Sequence, residues 1–182
     1  MTLPCPDPSA TQARRDALRI AAQEQMLADI PVTRFMQLRI AAWDGQSLRM
    51  TAPLAPNVND KGCAFGGSLV SVMTLACWSL VKLAADERGM ACDIYVQDST
   101  VRYLAPLWED FGAESRLADD QTFAGFFEIL GARGKARLAA ECDIRLADGT
   151  TACSLSARFV ALRKAATVAD ADAAQSEPAG ST

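Results

Sequence analysis

A chain of 182 residues, half of them hydrophobic, can bury one good-sized core, and nothing in its length calls for a second. Its formal charge of −4 comes from 22 acidic and 18 basic residues scattered along the sequence with no Lys/Arg-rich run, which argues against nucleic-acid binding. There is no histidine, so Ser-His-Asp and Cys-His nucleophiles and a histidine-ligated zinc are excluded, and chemistry falls to carboxylates, hydroxyls, amides or backbone dipoles.

The first residues, Met1 to Pro8, carry three prolines and are expected to be irregular. Ser9 or Thr11 caps a predicted helix that runs through Arg14, Leu18, Ile20 and Met26, stops near Pro31, and packs on the outside by its Arg and Gln content. Two alternating segments follow, Met36, Leu38, Ile40, Ala42 and then Leu48, Met50, Ala52, Leu54, joined by the hairpin signal Asp44-Gly45.

Next comes a polar, glycine-bearing loop, Asn57 to Ser68, that runs into a long apolar segment. It reads as a helix start suited to a ligand, because the paired glycines allow close approach and the first helical turn offers unpaired N–H groups. Gly66 to Leu83 raises the question of a membrane span, but Ser68, Ser71, Thr74 and Ser79 interrupt it and Lys82 closes it. It falls short of the ~20 apolar residues a bilayer requires, so a buried central helix stopped by Gly89 is expected, with no membrane partner.

Beyond Gly89 the pattern returns to strands. Ile94 to Leu104 alternates loosely, Pro106 turns the chain, and Phe111, Ala113, Ser115 and Leu117 share one face. Asp119 or Asp120 is expected to cap a short helix carrying Phe123, Phe126, Phe127 and Leu130, ended near Gly131 and Gly134. The cleanest hairpin joins Leu138 to Leu146 with Thr151 to Phe159 across Asp148-Gly149. From Ala165 the composition is that of a disordered tail. Segregated strands around one long helix define an α+β class with a curled sheet. Six cysteines without a CxxC pair, and an N-terminus lacking the basic and apolar regions of a signal peptide, point to reduced thiols in a cytoplasmic protein.

The pattern Asn59-x-x-Gly62-x-x-Phe65-Gly66-Gly67, the helix after it, and Asp98-Ser-Thr-Val-Arg-Tyr-Leu-Ala-Pro106 together resemble the hotdog-fold acyl-CoA thioesterases. The chain is most similar to their YiiD C-terminal branch, whose loop typically reads Gly-Thr-x-Phe-Gly-Gly-Ser with a Trp later in the helix. Gly62 to Ser68 and Trp78 match, apart from Cys63 in the threonine position. The resemblance covers about Phe35 to Leu162. It implies an N-terminal segment with a helix over 1–33, a hotdog thioesterase-like domain over 34–163, and the tail over 164–182.

The resemblance further implies a homodimer, possibly paired into a tetramer, whose sheets join edge to edge, with acyl-thioester sites between subunits at the starts of the central helices. An acyl-CoA or other acyl thioester is the implied substrate; neither metal nor nucleotide cofactor is implied. Asn59 matches a loop asparagine that orients water or substrate, and Gly66 or Gly67 matches the carbonyl donor. These roles are those of the phenylacetyl-CoA-type relatives, and two features depart from their pattern: Phe65 stands where a histidine usually precedes Gly-Gly, and the acidic position, one to three turns into the partner's helix, falls on Thr74, with no Asp or Glu between Phe65 and Asp86.

The base is therefore open between Asp60 in the loop and Asp98, which the alternation places among Ile94, Val96 and Thr100 on an otherwise largely apolar face. A half-buried carboxylate there is expected to have a raised pKa; the alternative is a structural acceptor at a strand distortion. Ser68, Ser71 and Thr74, three apart, either face a substrate channel or satisfy themselves on the helix backbone. Phe65 is pocket wall or core, Trp78 core, Asn57 a turn residue, and Cys63 a packing residue lacking a basic partner. Asn59 could also serve only to cap the loop, and the glycines only helix packing. The reading is a thioester hydrolase using Asn59, Asp98, Thr74 and the Gly66/Gly67 amides, with a non-catalytic acyl-binding dimer as the alternative and a lyase ranked behind both.

Overall fold

Pro31 ends the first helix, and the two alternating segments after it fold back on each other at Asp44-Gly45, so the chain begins with an outer helix laid beside a hairpin. The computed structural model describes residues 8–164; the expectations for residues 1–7 and from Ala165 onward lie outside them. Helix α1 spans Pro8–Asp29 and a single turn, α2, spans Val32–Phe35. Strands β1 (Arg39–Trp43) and β2 (Ser47–Ala52) pair across the turn, where Asp44 Oδ1 accepts from the N–H groups of Gln46 and Ser47 at 2.8 and 2.6 Å. Gly45 supplies the left-handed conformation, φ 93°, that this turn requires.

The central helix α3, Gly66–Glu87, is followed by β3 (Cys92–Tyr103), β4 (Phe111–Leu117), helix α4 (Phe123–Arg133), β5 (Lys135–Arg145) and β6 (Thr151–Arg163). Gly89, φ 65°, ends α3: its own N–H and that of Met90 return to the carbonyls of Asp86 and Ala85. All pairings are antiparallel, in the order β1-β2-β4-β5-β6-β3. This is the curved sheet around one long helix that the hotdog resemblance implied.

The core lies between α3 and the concave face. Val72, Met73, Ala76, Cys77, Leu80, Val81 and Leu83 are fully buried on the helix, and each Val or Leu so buried contributes about 1.5–3 kcal/mol. Opposite them lie Leu48, Met50, Ala113, Leu138, Ile144, Leu155 and Phe159. Ser115 is buried with its hydroxyl donating to Ala76 O (3.1 Å) and Leu48 O (3.3 Å), which ties helix to sheet. Of the described helices, only α3 is long and apolar enough to cross a membrane, and 67% of that stretch is buried here as core.

Two expectations need correction. The short helix is capped by Thr122, not Asp119 or Asp120: Thr122 Oγ1 accepts from Gly125 N at 3.2 Å. Its end at Gly134, φ 67°, is the expected one. In β1 the alternation breaks at a bulge between Ile40 and Ala42, so Ala42 is exposed and Trp43 takes the core position.

Candidate functional site

The loop before α3 is built around two asparagines with different tasks. Asn57 is buried: its Nδ2 donates to Met36 O (2.9 Å) and Pro53 O (2.8 Å), and its carbonyl accepts from Phe65 N (2.7 Å). It thereby latches both ends of the loop to the β1 side of the domain. Asn59 organises the tip: its Oδ1 accepts from Lys61 N at 2.8 Å, its Nδ2 donates to Cys63 Sγ at 3.2 Å, and its N–H donates to Cys63 O at 2.8 Å. Gly62, φ 86°, closes the turn, and Cys63 is buried beneath it. Asp60 stands out in solvent beside Lys61.

Phe65 holds the extended N-cap conformation and caps nothing with its side chain, so the first-turn N–H groups of α3 carry no side-chain partner. Its ring is 54% exposed and lies over Gly67, where a Cβ would fall inside the ring's van der Waals envelope. Gly66 faces Tyr103 instead: a Cβ there would meet Tyr103 Cε1 at 3.3 Å, and the Tyr103 hydroxyl donates to Gly66 O at 3.2 Å. Ala64, Gly66, Leu69, Tyr103 and Leu107 line an open cleft of about 300 Å³ at this helix start. The larger grooves, about 510 and 800 Å³, lie at the opposite edge beside α1 and β1, away from the paired glycines.

Along α3, Gly67, Val70, Ser71, Thr74 and Trp78 are half-buried and form one open stripe. The three-residue spacing of Ser68, Ser71 and Thr74 does not keep them on one face. Each step turns the helix by roughly 300° rather than a full circle, so the line drifts around it. Ser68 is consequently buried on the core side, Ser71 donates back to Gly67 O at 2.8 Å, and Thr74 lies on the open side with no side-chain hydrogen bond among the described residues. Trp78 donates its indole N–H to Ile94 O at 3.0 Å and so fastens the start of β3.

Asp98 is not among these groups. A bulge between Val96 and Asp98 inserts Gln97 and shifts the alternation by one residue: Val96 pairs with Phe159, but Asp98 pairs with Arg158. Phe159 is buried and Arg158 exposed, so Asp98 lies on the face turned away from α3. Arg158 grips it from Nε at 2.9 and 3.0 Å and from Nη2 at 2.5 Å. Those hydrogen bonds, reinforced by the guanidinium charge, hold its carboxyl below the usual range, opposite to the raised pKa expected for a half-buried base.

The same bulge turns other residues inward. Ser99, Val101 and Tyr103 pair with the core residues Ala157, Leu155 and Cys153 and so share the helix side with Val96. Yet Val96 is 48% and Tyr103 56% exposed. The hydroxyls of Thr74, on the open stripe of α3, and of Ser99 and Tyr103, on the inner face of β3, are thus left uncovered by the core. Tyr103 and Ser99 carried no role in the sequence reading, although both stand in the Asp98 to Pro106 motif; the inserted Gln97 hid which of its residues face inward.

Fold and helix start together define a thioesterase-like hotdog protein. A family model described as "Putative thioesterase (yiiD_Cterm)" matches residues 20–163, and the chain belongs to that family. It is similar to a protein of unknown function from Chlorobaculum tepidum TLS, at 30% identity and TM-score 0.77 over 82% of this chain and 97% of that one. The "putative thioesterase" from Shewanella oneidensis matches at 29% identity and TM-score 0.72, over 81% and 99% of the two chains. A Pseudomonas aeruginosa protein described as a probable thioesterase shares the fold at 20% identity and TM-score 0.67, over 79% and 95%.

Proposed function

We propose that this protein hydrolyses an acyl thioester, an acyl-CoA by preference, at a site completed when a second copy covers the open β3 edge. The observation that carries the reading is the uncapped start of α3, where Gly66 lines an open cleft with Tyr103 and Leu107. In this mechanism the substrate carbonyl accepts from the Gly67 N–H, with Gly66 beside it, and the helix dipole favours the negative charge that develops on the oxygen. Water, held by the Thr74 hydroxyl of the second copy, attacks the carbonyl carbon; the C–S bond breaks, and the departing thiolate takes the proton that water gives up. Asn59 acts by shaping the loop, since both ends of its amide are already engaged. Phe65 walls the entrance, while Ser68 and Ser71 support the first turns from within. Asp98 belongs to its ion pair with Arg158. The five described cysteines are free thiols, which supports a reducing compartment such as the cytoplasm.

Purified protein assayed against a panel of acyl-CoAs by release of free thiol tests the reading, with Thr74→Val expected to lower kcat by about tenfold. Panel-wide inactivity would defeat it. A second reading has its own support: α3 carries no carboxylate before Asp86, and the two in β3, Asp93 and Asp98, are held in ion pairs with Lys164 and Arg158. A protein that only binds acyl-CoA would hold a non-hydrolysable thioether analogue and release no thiol from any member of the panel.

A further inference from the structure

Two aromatic rings from different parts of the chain meet on one peptide unit. Tyr103, at the end of β3, donates its hydroxyl to Gly66 O at 3.2 Å and lays its ring against Gly66. Phe65, the residue before the helix, covers Gly67. The Gly66 carbonyl and the Gly67 N–H belong to a single planar trans peptide, in which the two groups point in opposite directions. Anchoring the carbonyl therefore fixes the direction of the N–H.

That N–H is one of the first-turn donors of α3, with no intrahelical acceptor and no side-chain cap. A hydrogen bond received at the carbonyl also polarises the peptide and strengthens its N–H as a donor. The tyrosine is itself well placed for the task. The register of β3 against β6 sets it opposite the buried Cys153, and the N–H groups of Leu104 and Ala105 both bond Ala152 O just beyond it. Its ring is more than half exposed, so core burial does not account for where it sits.

We propose that Tyr103 is a positioning residue: through the Gly66 carbonyl it aims the Gly67 N–H at the thioester oxygen. The inference rests on reading the start of α3 as the carbonyl-binding half of the site. Tyr103 needs no contact with the reacting atoms. Its hydroxyl acts on the amide across the peptide plane, and its ring holds Gly66 where any side chain at residue 66 would displace it by a few tenths of an ångström.

Tyr103→Phe keeps the ring and removes the hydroxyl. With octanoyl-CoA as substrate, kcat is expected to fall about tenfold, less than loss of a direct donor, with KM within about twofold of the parent. In amide-resolved NMR of the full chain without ligand, the Gly67 resonance is expected to shift and exchange faster with solvent, while core amides such as Leu80 and Leu138 stay in place and report an intact fold. A Gly67 amide that does not move, or a rise in KM at unchanged kcat, would overturn the proposal. If the parent protein releases no thiol from octanoyl-CoA or the wider panel, the hydrolase reading fails, and the Gly67 resonance still decides whether Tyr103 sets that amide.

Discussion

Along β1 the outward-facing backbone is covered from within the chain, whereas β3, at the other end of the sheet, shows 12 residues with no described element beyond them. Gln23 of α1 donates to Leu38 O (3.0 Å) and accepts from Ile40 N (2.5 Å), Arg19 donates to Ile40 O (2.9 Å), and Arg15 donates to Asp44 O. These three residues, spaced by four, lie on one face of α1 and do the work of an absent strand. A bare edge is a template for pairing, and proteins cover or charge the edges they do not use. Here β3 keeps exposed apolar residues, Tyr95, Val96 and Tyr103, on its open length. The contrast supports the proposal that a second copy pairs there and completes the cleft.

The strongest way to break the contrast is to place a charge on the open side. Val96→Asp would put a charge on the exposed length of β3 in both copies where they meet, and sedimentation should then show a monomer with thiol release reduced more than about a hundredfold. The closed edge should respond in stability instead. Gln23→Leu removes both bonds to β1 and is expected to cost about 2 kcal/mol in denaturant unfolding, with the native mass unchanged. On the open stripe, Thr74→Asp places a carboxylate on a helix that has none before Asp86; if the proton-accepting group limits turnover, kcat should rise about tenfold or more.

The smallest effect is expected from Asp98→Asn, with kcat within about twofold of the parent, because the carboxyl faces away from α3. Its signature should be in acid stability. A carboxyl lowered from its ordinary value of 3.8 stabilises the fold above that pH, and the contribution is lost as pH falls through the lower folded value. The Asn variant should therefore lose less stability than the parent over that acid range, which thermal unfolding at stepped pH would measure.

Much of this organisation was legible in the residues. The two Asp-Gly hairpins, the glycine that ends α3, and the face shared by Phe111, Ala113 and Ser115 follow from local rules that the tertiary structure leaves alone. Bulges were not legible. One inserted residue in β1 exchanged Ala42 for Trp43 in the core, and another in β3 carried Asp98 to the outer face and turned Ser99 and Tyr103 inward. An extra residue in a strand has no composition of its own; it is defined by the partner strand. The role of α1 was hidden for a similar reason, because Arg15, Arg19 and Gln23 look like an ordinary solvent face until β1 lies beside them. At the helix start, Gly66 and Gly67 were visible as a pair, but the rings that require them come from Tyr103 and Phe65.

A dilution series that follows native mass by sedimentation and thiol release from an acyl-CoA on the same samples tests the central claim most directly. The expected result is a species of about twice the 19.4 kDa chain mass, with specific activity that falls in step with its dissociation. A single chain that keeps full activity per molecule at every concentration would contradict a site completed by the second copy.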